Sequence, residues 1–245
     1  MATLDRSPEV SRPMSILRSA RFLLLPALAL VAACGGQDPS VRSGGVPVAG
    51  VLVRASGPGT LELRAGQLAA ARGGFESIVR GNPERMDALN DLAVAYHLEG
   101  HSEAARQLLD EVVARGTPRE QQAALVNLAD LYASEGFLQA AQAHLEAARE
   151  IDAARAEPAW GLALLADGRG DADAARLAAE ALRLDADGSA RRFLVFESPE
   201  ERVHFEAVLA EASGDRSLAQ ARWRELRAGR VPSLAQAAQR HLGEP

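Results

Sequence analysis

Four glycines, Gly100, Gly136, Gly170 and Gly214, are each followed five residues later by an alanine: Ala105, Ala141, Ala175 and Ala219. Helix-forming sequence flanks each pair. The first two pairs lie in segments that match at a shift of 36 residues, with Leu92 on Leu128, Ala93 on Ala129, Tyr96 on Tyr132 and Leu109 on Leu145. A unit of this length cannot bury its own apolar face and must stack on neighbours. The pattern therefore predicts a solenoid of helix-turn-helix units. Solenoids of this kind usually bind other proteins and rarely do chemistry.

Composition narrows the chemistry further. The 245 residues are 47% hydrophobic and 24% charged, as in an ordinary soluble protein, and only 4% aromatic. The small residues that replace aromatics let helices approach closely. All 27 basic residues are arginine. Without lysine there is no Walker-type phosphate loop, no Schiff-base lysine and no Ser-Lys dyad. Cys34 is the one cysteine, so neither an internal disulfide nor a cysteine-based zinc site can form. The net charge of −6 becomes more negative when residues 1–33 are set aside. An acidic body is a poor ligand for nucleic acid, where phosphate contacts dominate affinity.

The N-terminus reads as a processing signal. Residues 22–33, FLLLPALALVAA, follow Arg18 and Arg21 and are too short to span a bilayer as an ordinary helix. The run ends Val31-Ala32-Ala33-Cys34, which resembles a bacterial lipobox. That resemblance implies cleavage before Cys34 and lipidation of its thiol. Several acyl chains would anchor the protein stably, at ~0.8 kcal/mol per buried CH₂. Gly35 stands where an inner-membrane lipoprotein tends to carry aspartate, so the resemblance implies an outer-membrane, periplasm-facing location. Translation starts at Met1 or at Met14. The expected organisation is a signal peptide over 1–33, a flexible Gly/Ser/Pro/Val tether over 34–60, in which Val46–Val53 could form a short strand with no obvious partner, and a helical solenoid over 61–245.

Within the solenoid, Asn82-Pro83-Glu84 predicts a helix start. Leu89, Leu92, Ala93 and Tyr96 then fall on one face, and Gly100 ends the helix. A second helix from a Ser102 N-cap presents Ala105, Leu109 and Val112. Leu125, Leu128, Ala129, Tyr132, Gly136, Ala141, Leu145 and Ala148 repeat the set. This arrangement resembles the tetratricopeptide repeat. A third copy keeps Leu162, Ala163, Gly170, Ala175 and Leu182, with Ala166 in place of the tyrosine. A fourth keeps Gly214, Ala219, Trp223 and Leu226. The surplus before it, Arg191 to Ser198, is an extended helix or an apolar plug. Ala71, Phe75 and Ile78 read as a degraded leading half-repeat, and Leu234, Ala237, Ala238, His241 and Leu242 as a capping helix. The resemblance covers about residues 65–228. It implies an all-α, right-handed solenoid of about four helix-turn-helix repeats with a C-terminal capping helix.

No catalytic or metal constellation emerges. His97, Glu99, His101 and Glu103 have the spacing His-x-Glu-x-His with Gly100 between, which reads as a solvated turn. His144, His204 and His241 are isolated. The arginines at 216, 222, 224, 227 and 230 interleave with Asp215 and Glu225, as on a solvated helix face. Neither enzyme activity, metal nor cofactor is expected.

The resemblance implies a concave groove lined by first helices. Its outward positions would be Asn90, Val94 and His97, then Val126, Asn127 and Asp130, then Trp160 and Leu164. Trp160 is either the anchor for a partner or a residue packed between repeats. Cochaperone members of the family clamp a terminal carboxylate with lysines and asparagines. With no lysine here, a chaperone-tail receptor is not expected. The expected function is a membrane-anchored protein-interaction scaffold for assembling a cell-envelope complex, with a pilotin-like role for a secretin, pilus or motility machine as its sharper form. The expected partner is an envelope protein or peptide segment in the groove, with no small-molecule substrate. The alternative is an adaptor for, or member of, a peptidoglycan-modifying enzyme system.

Overall fold

The computed structural model describes residues 45–54 and 56–243. The signal peptide, Cys34 and the start of the expected tether, residues 34–44, lie outside the described residues. A short helix α1 (Thr60–Arg64) and α2 (Leu68–Gly81) lead into four helix pairs. These are α3 (Met86–Leu98) with α4 (Ser102–Arg115), α5 (Pro118–Ser134) with α6 (Leu138–Ile151), α7 (Glu157–Arg169) with α8 (Ala174–Leu184), and α9 (Pro199–Ala212) with α10 (Arg216–Arg227). Helix α11 (Pro232–Leu242) closes the stack against α10, α7 and α9. Two short strands, β1 (Gly50–Val51) and β2 (Leu194–Val195), pair antiparallel, with Gly50 opposite Val195 and Val51 opposite Leu194.

The local chemistry explains these boundaries. Gly100 and Gly136 take φ of 83° and 88°, which lets each first helix reverse tightly into the second. Gly170 and Gly214 do the same in the later repeats. Thr117 and Glu120 form a capping box ahead of Pro118, with the Thr117 N–H donating to Glu120 Oε2 at 2.7 Å. Ser198 caps α9 through Oγ, which accepts from the Glu201 N–H at 3.3 Å. Two expected starts are corrected. Helix α3 begins at Met86, because residues 82–85 form a separate turn in which the Arg85 N–H bonds the Asn82 carbonyl. Ser102 is the first residue of α4, and His101 occupies the cap position without a side-chain bond.

Between the helices of each pair, small residues meet large ones. Ala93, Ala105, Ala129, Ala141 and Ala163 are fully buried, and Leu109 and Leu145 fill the adjacent space. Tyr132 lies under the Arg106 guanidinium, 5.1 Å from the ring centroid, and stacks on His144 at 5.2 Å. The half-repeat α2 buries Ala71 and Phe75 as its pattern predicts, and α11 buries Leu234, Ala237 and Ala238.

The expected tether departs most from the sequence reading. Val46, Val48, Ala49, Val51 and Leu52 are all buried; Val48 and Leu52 are each 1% exposed. They belong to the same apolar clusters as the helices. The segment runs across the first helices in reverse order, from Gly45 on α11 and Val46 on α5 and α7 to Val53 and Arg54 on α3. A valine-rich stretch of this kind removes too much apolar surface from water by docking to stay solvated.

The fit is tight where the segment crosses α7. A Cβ on Gly168 of α7 would lie 2.2 Å from Val46 Cγ1. Gly73, inside α2, has nothing within 4 Å of its Cβ position. Gly168→Ala should therefore destabilise the protein by about 1–3 kcal/mol through overpacking. Gly73→Ala should stabilise it by about 0.5–1 kcal/mol. Urea unfolding of the two variants checks the opposite signs.

Candidate functional site: an occupied concave groove

Asn90, Val94 and His97 on α3, Val126, Asn127 and Asp130 on α5, and Trp160 and Leu164 on α7 all come from first helices, as expected. All eight are buried. The polar members on α3 and α5 are turned to the protein's own residues 45–54. Asn127 holds both main-chain groups of Val51: its Oδ1 accepts from the Val51 N–H at 2.6 Å, and its Nδ2 donates to the Val51 carbonyl at 2.9 Å. Asn90 Nδ2 donates to the same carbonyl at 3.1 Å, and its Oδ1 accepts from Asn127 Nδ2 at 2.9 Å. Asp91, which the sequence reading did not single out, accepts from the Val53 N–H at 2.8 Å and the Arg54 N–H at 3.1 Å. The Val48 N–H faces Asp130 and favours its charged form.

Backbone and hydroxyl groups complete the seat. The Val46 N–H donates to the Ala133 carbonyl at 3.0 Å, and Ser233 Oγ donates to the Gly45 carbonyl at 2.6 Å. The Leu52 N–H donates to the Phe193 carbonyl at 2.9 Å. Phe193 belongs to the surplus before the fourth repeat, which is not an extended helix; Leu194 is buried in the core, and Phe193 and Phe196 pack against it. The surplus makes a 3-10 turn, Ala190–Arg192, and then β2, which lies alongside β1. Asp185, fully buried, fixes the start of this excursion by accepting from the Ala190 N–H at 2.9 Å and pairing with Arg191 at 2.7 Å.

Trp160 is corrected from groove anchor to core residue. It is 0% exposed, donates its Nε1–H to Asp185 Oδ2 at 3.2 Å, and meets Phe205 edge-on at 5.1 Å. The excursion after α8 and the fourth repeat enclose the ring, so it packs between repeats. Leu164 is equally enclosed.

The electrostatics under the segment are unusual. Burial pushes the carboxyls of Asp91 and Asp130 up to about 7 and that of Glu201 up to about 8. Desolvation disfavours each charge, and Asp130 and Glu201 also repel one another and Glu197. His97 lies 3.7 Å from Asp130, and burial lowers its pKa. The reading of His97 as part of a solvated turn is therefore also corrected: it is 8% exposed, whereas His101 faces solvent.

A second polar cluster ties the cap to the stack, and the sequence reading treated its histidines as isolated. Asp167 of α7 bonds His204 Nε2 of α9 and His241 Nε2 of α11, each at 2.7 Å. His241 Nδ1 reaches Glu211 at 2.9 Å, and its ring stacks on Trp223 at 4.0 Å. Burial opposes charging of His241. The bonds to Asp167 and Glu211 outweigh it and raise its pKa to about 9. Both histidines hold Asp167 well below the usual carboxylate range despite its burial. Arg240 donates to the Asp167 carbonyl at 2.6 Å, capping the end of α7.

Neither cluster has the makings of a catalytic or metal centre. Among the described residues no group of three or more His, Cys, Asp or Glu side chains could hold a metal ion, and no helix is long and apolar enough to cross a membrane. What the arrangement does is bind an extended main chain.

The paired helices, glycine turns and capping helix define an all-α helical solenoid. Residues 62–131 match the tetratricopeptide repeat family. Among solved structures, TTC0263, a thermophilic TPR protein of Thermus thermophilus, is 22% identical; the match covers 75% of this chain and 95% of that one, with a TM-score of 0.52. Two structures of MamA match at 15% and 16% identity with TM-scores of 0.43 and 0.42. They cover 77% and 74% of this chain and 98% and 86% of theirs. No curated protein sequence matches the chain. The chain thus has the fold of a helical solenoid, and a tetratricopeptide-repeat match covers residues 62–131 of it.

Two expectations follow. Trp160→Ala should lower stability by about 3–5 kcal/mol, as core truncations of this size do, measured by thermal or urea unfolding. The Asp167–His241 pair sets a pH window. A raised histidine contributes stability that is fully present below its unfolded pKa and lost as pH rises through about 9. The lowered Asp167 contributes stability present above its unfolded pKa and lost as pH falls through its folded value. The stability gap between wild type and His241→Ala should therefore be widest between about pH 4 and 6.5, shrink as pH rises from there, and be lost above about pH 9.

Proposed function

We propose that this protein is a non-enzymatic interaction scaffold of the bacterial envelope, held at the outer membrane by lipidated Cys34 and facing the periplasm. The lipobox-like Val31-Ala32-Ala33-Cys34 run, ahead of a solenoid that binds an extended main chain, is the observation that supports the reading. Lipid supplies the location, and the repeats supply a surface for other proteins. The sharper form is a pilotin-like role, escorting a secretin or helping to assemble a pilus or motility machine.

Cys34→Ala should move the protein from the membrane fraction to the soluble fraction. Unchanged fractionation would remove the anchor from the account. Loss of the gene should abolish outer-membrane multimers of the secretin, read on unheated gels. Normal multimers would exclude the pilotin role while leaving a scaffold for another envelope complex, which crosslinking in native membranes would identify.

A further inference from the structure

From the seat of residues 45–54, we infer that this segment is a displaceable built-in occupant of the groove, and that the groove's partner is an extended apolar protein segment that takes the same main-chain bonds. The inference rests on the reading of the protein as an interaction scaffold.

Three features of the seat carry it. First, recognition is by main chain. Asn127, Asn90 and Asp91 all bond backbone groups of the segment, and none of these three bonds a side chain of it. Such a clamp accepts any strand whose alternate side chains are apolar and of moderate size, as in the recognised modes of strand capture. Second, the segment is joined to α1 through Gly57-Pro58-Gly59, with Gly57 and Gly59 at φ of 116° and 88°, and holds no helical residue, so no helix has to unwind for it to leave.

Third, docking carries an internal electrostatic opposition. The segment covers a cluster of acids, Asp91 on α3, Asp130 on α5 and Glu201 on α9, all buried; Asp87 on α3 lies nearer the surface and Glu197, just before α9, is exposed. The cations facing them are few. Arg85 pairs with Asp87 at 2.6 Å and Arg54 reaches it at 3.7 Å, His97 lies 3.7 Å from Asp130, and Arg230 lines the open mouth shared with Glu197 and Glu201. No arginine pairs with Asp91, Asp130 or Glu201 in the geometry described above. Ionising these groups while they stay covered is unfavourable. Undocking returns them to water.

The sign follows from the raised carboxyls. Docking takes up protons, so it is strongest below the ordinary carboxylate pKa. It weakens as pH rises through about 7 to 8, where Asp91, Asp130 and Glu201 lose theirs. Each such group lowers the docking constant on the order of tenfold between about pH 6 and about pH 8.5.

Amide hydrogen exchange on the full chain tests this. After correction for intrinsic rates, the Val48, Val51, Val53 and Arg54 amides should lose protection at least about tenfold between about pH 6 and pH 8.5. The Leu145 and Ala148 amides of α6 should not follow them. Asp130→Asn, which keeps an oxygen facing the Val48 N–H, and separately Glu201→Gln, should flatten that dependence. A fluorescent peptide with the sequence of residues 45–54 should be taken up by the full chain, and no more at the higher pH than at the lower, because it covers the same acids. Strap and α6 amides that exchange together at both pH values would overturn the inference. So would a pH dependence unchanged in both variants, or no peptide uptake at either pH. None of these outcomes bears on membrane anchorage through Cys34, so the two readings fail separately.

Discussion

Val51 gives both of its main-chain groups to one side chain, and that pairing organises the concave face. Asn127 is suited to it because a carboxamide carries one acceptor and two donors, enough to match a peptide N–H and C=O and still reach a neighbour. The spare hydrogen goes to Asn90, one repeat away, which bonds the same carbonyl. The side-chain N and O atoms of both amides are committed, and both residues are buried. Removing either side chain would leave a buried peptide group short of a partner, which is worth more than the bond itself. The valines on either side add apolar burial, and the bonds fix the register of that burial.

Once the groove is filled, other parts of the structure become intelligible. The surplus before the fourth repeat has to bend toward the concave side, because β2 pairs with β1 and the Phe193 carbonyl takes the Leu52 N–H. Asp185 and Trp160 hold the root of that bend. The cap helix begins where the segment enters, with Ser233 on Gly45, and ends on the Asp167–His204–His241 cluster. The final helix is thus fixed at both ends, by the segment at one and by charge at the other. The stack, the excursion and the cap form a single system around a strand-like segment that the helices alone would not contain.

The repeat architecture was legible because it depends on local chemistry: glycines at left-handed turns, alanines at helix crossings, and leucines and tyrosines at helical spacing. The half-repeat and the cap were legible for the same reason. Residues 45–54 were not. Gly, Pro and Val beside a charged leader look like a tether, and nothing within the stretch says that its valines have a receptor more than 70 residues away in sequence. One signal was present in the sequence. Asn90 and Asn127 stand 37 apart, as do Asp167 and His204, one position beyond the 36-residue register of the apolar set. Polar residues recurring at that offset meet on successive first helices. The offset marks both clusters, although it does not say what Asn90 and Asn127 would bind. Trp160 was ambiguous in sequence because its lid, residues 185–196, belongs to no repeat.

The central claim is that residues 46–53 sit in the groove under native conditions, with Val51 held by Asn127. Solution NMR of the isotope-labelled chain at mildly acidic pH tests it most directly. The account predicts a dispersed Val51 amide resonance with nuclear Overhauser contacts to the Asn127 side-chain amide, and Val46 contacts to Ala133. A Val51 amide at random-coil shift, without contacts to α5, would contradict it and return the segment to solvent.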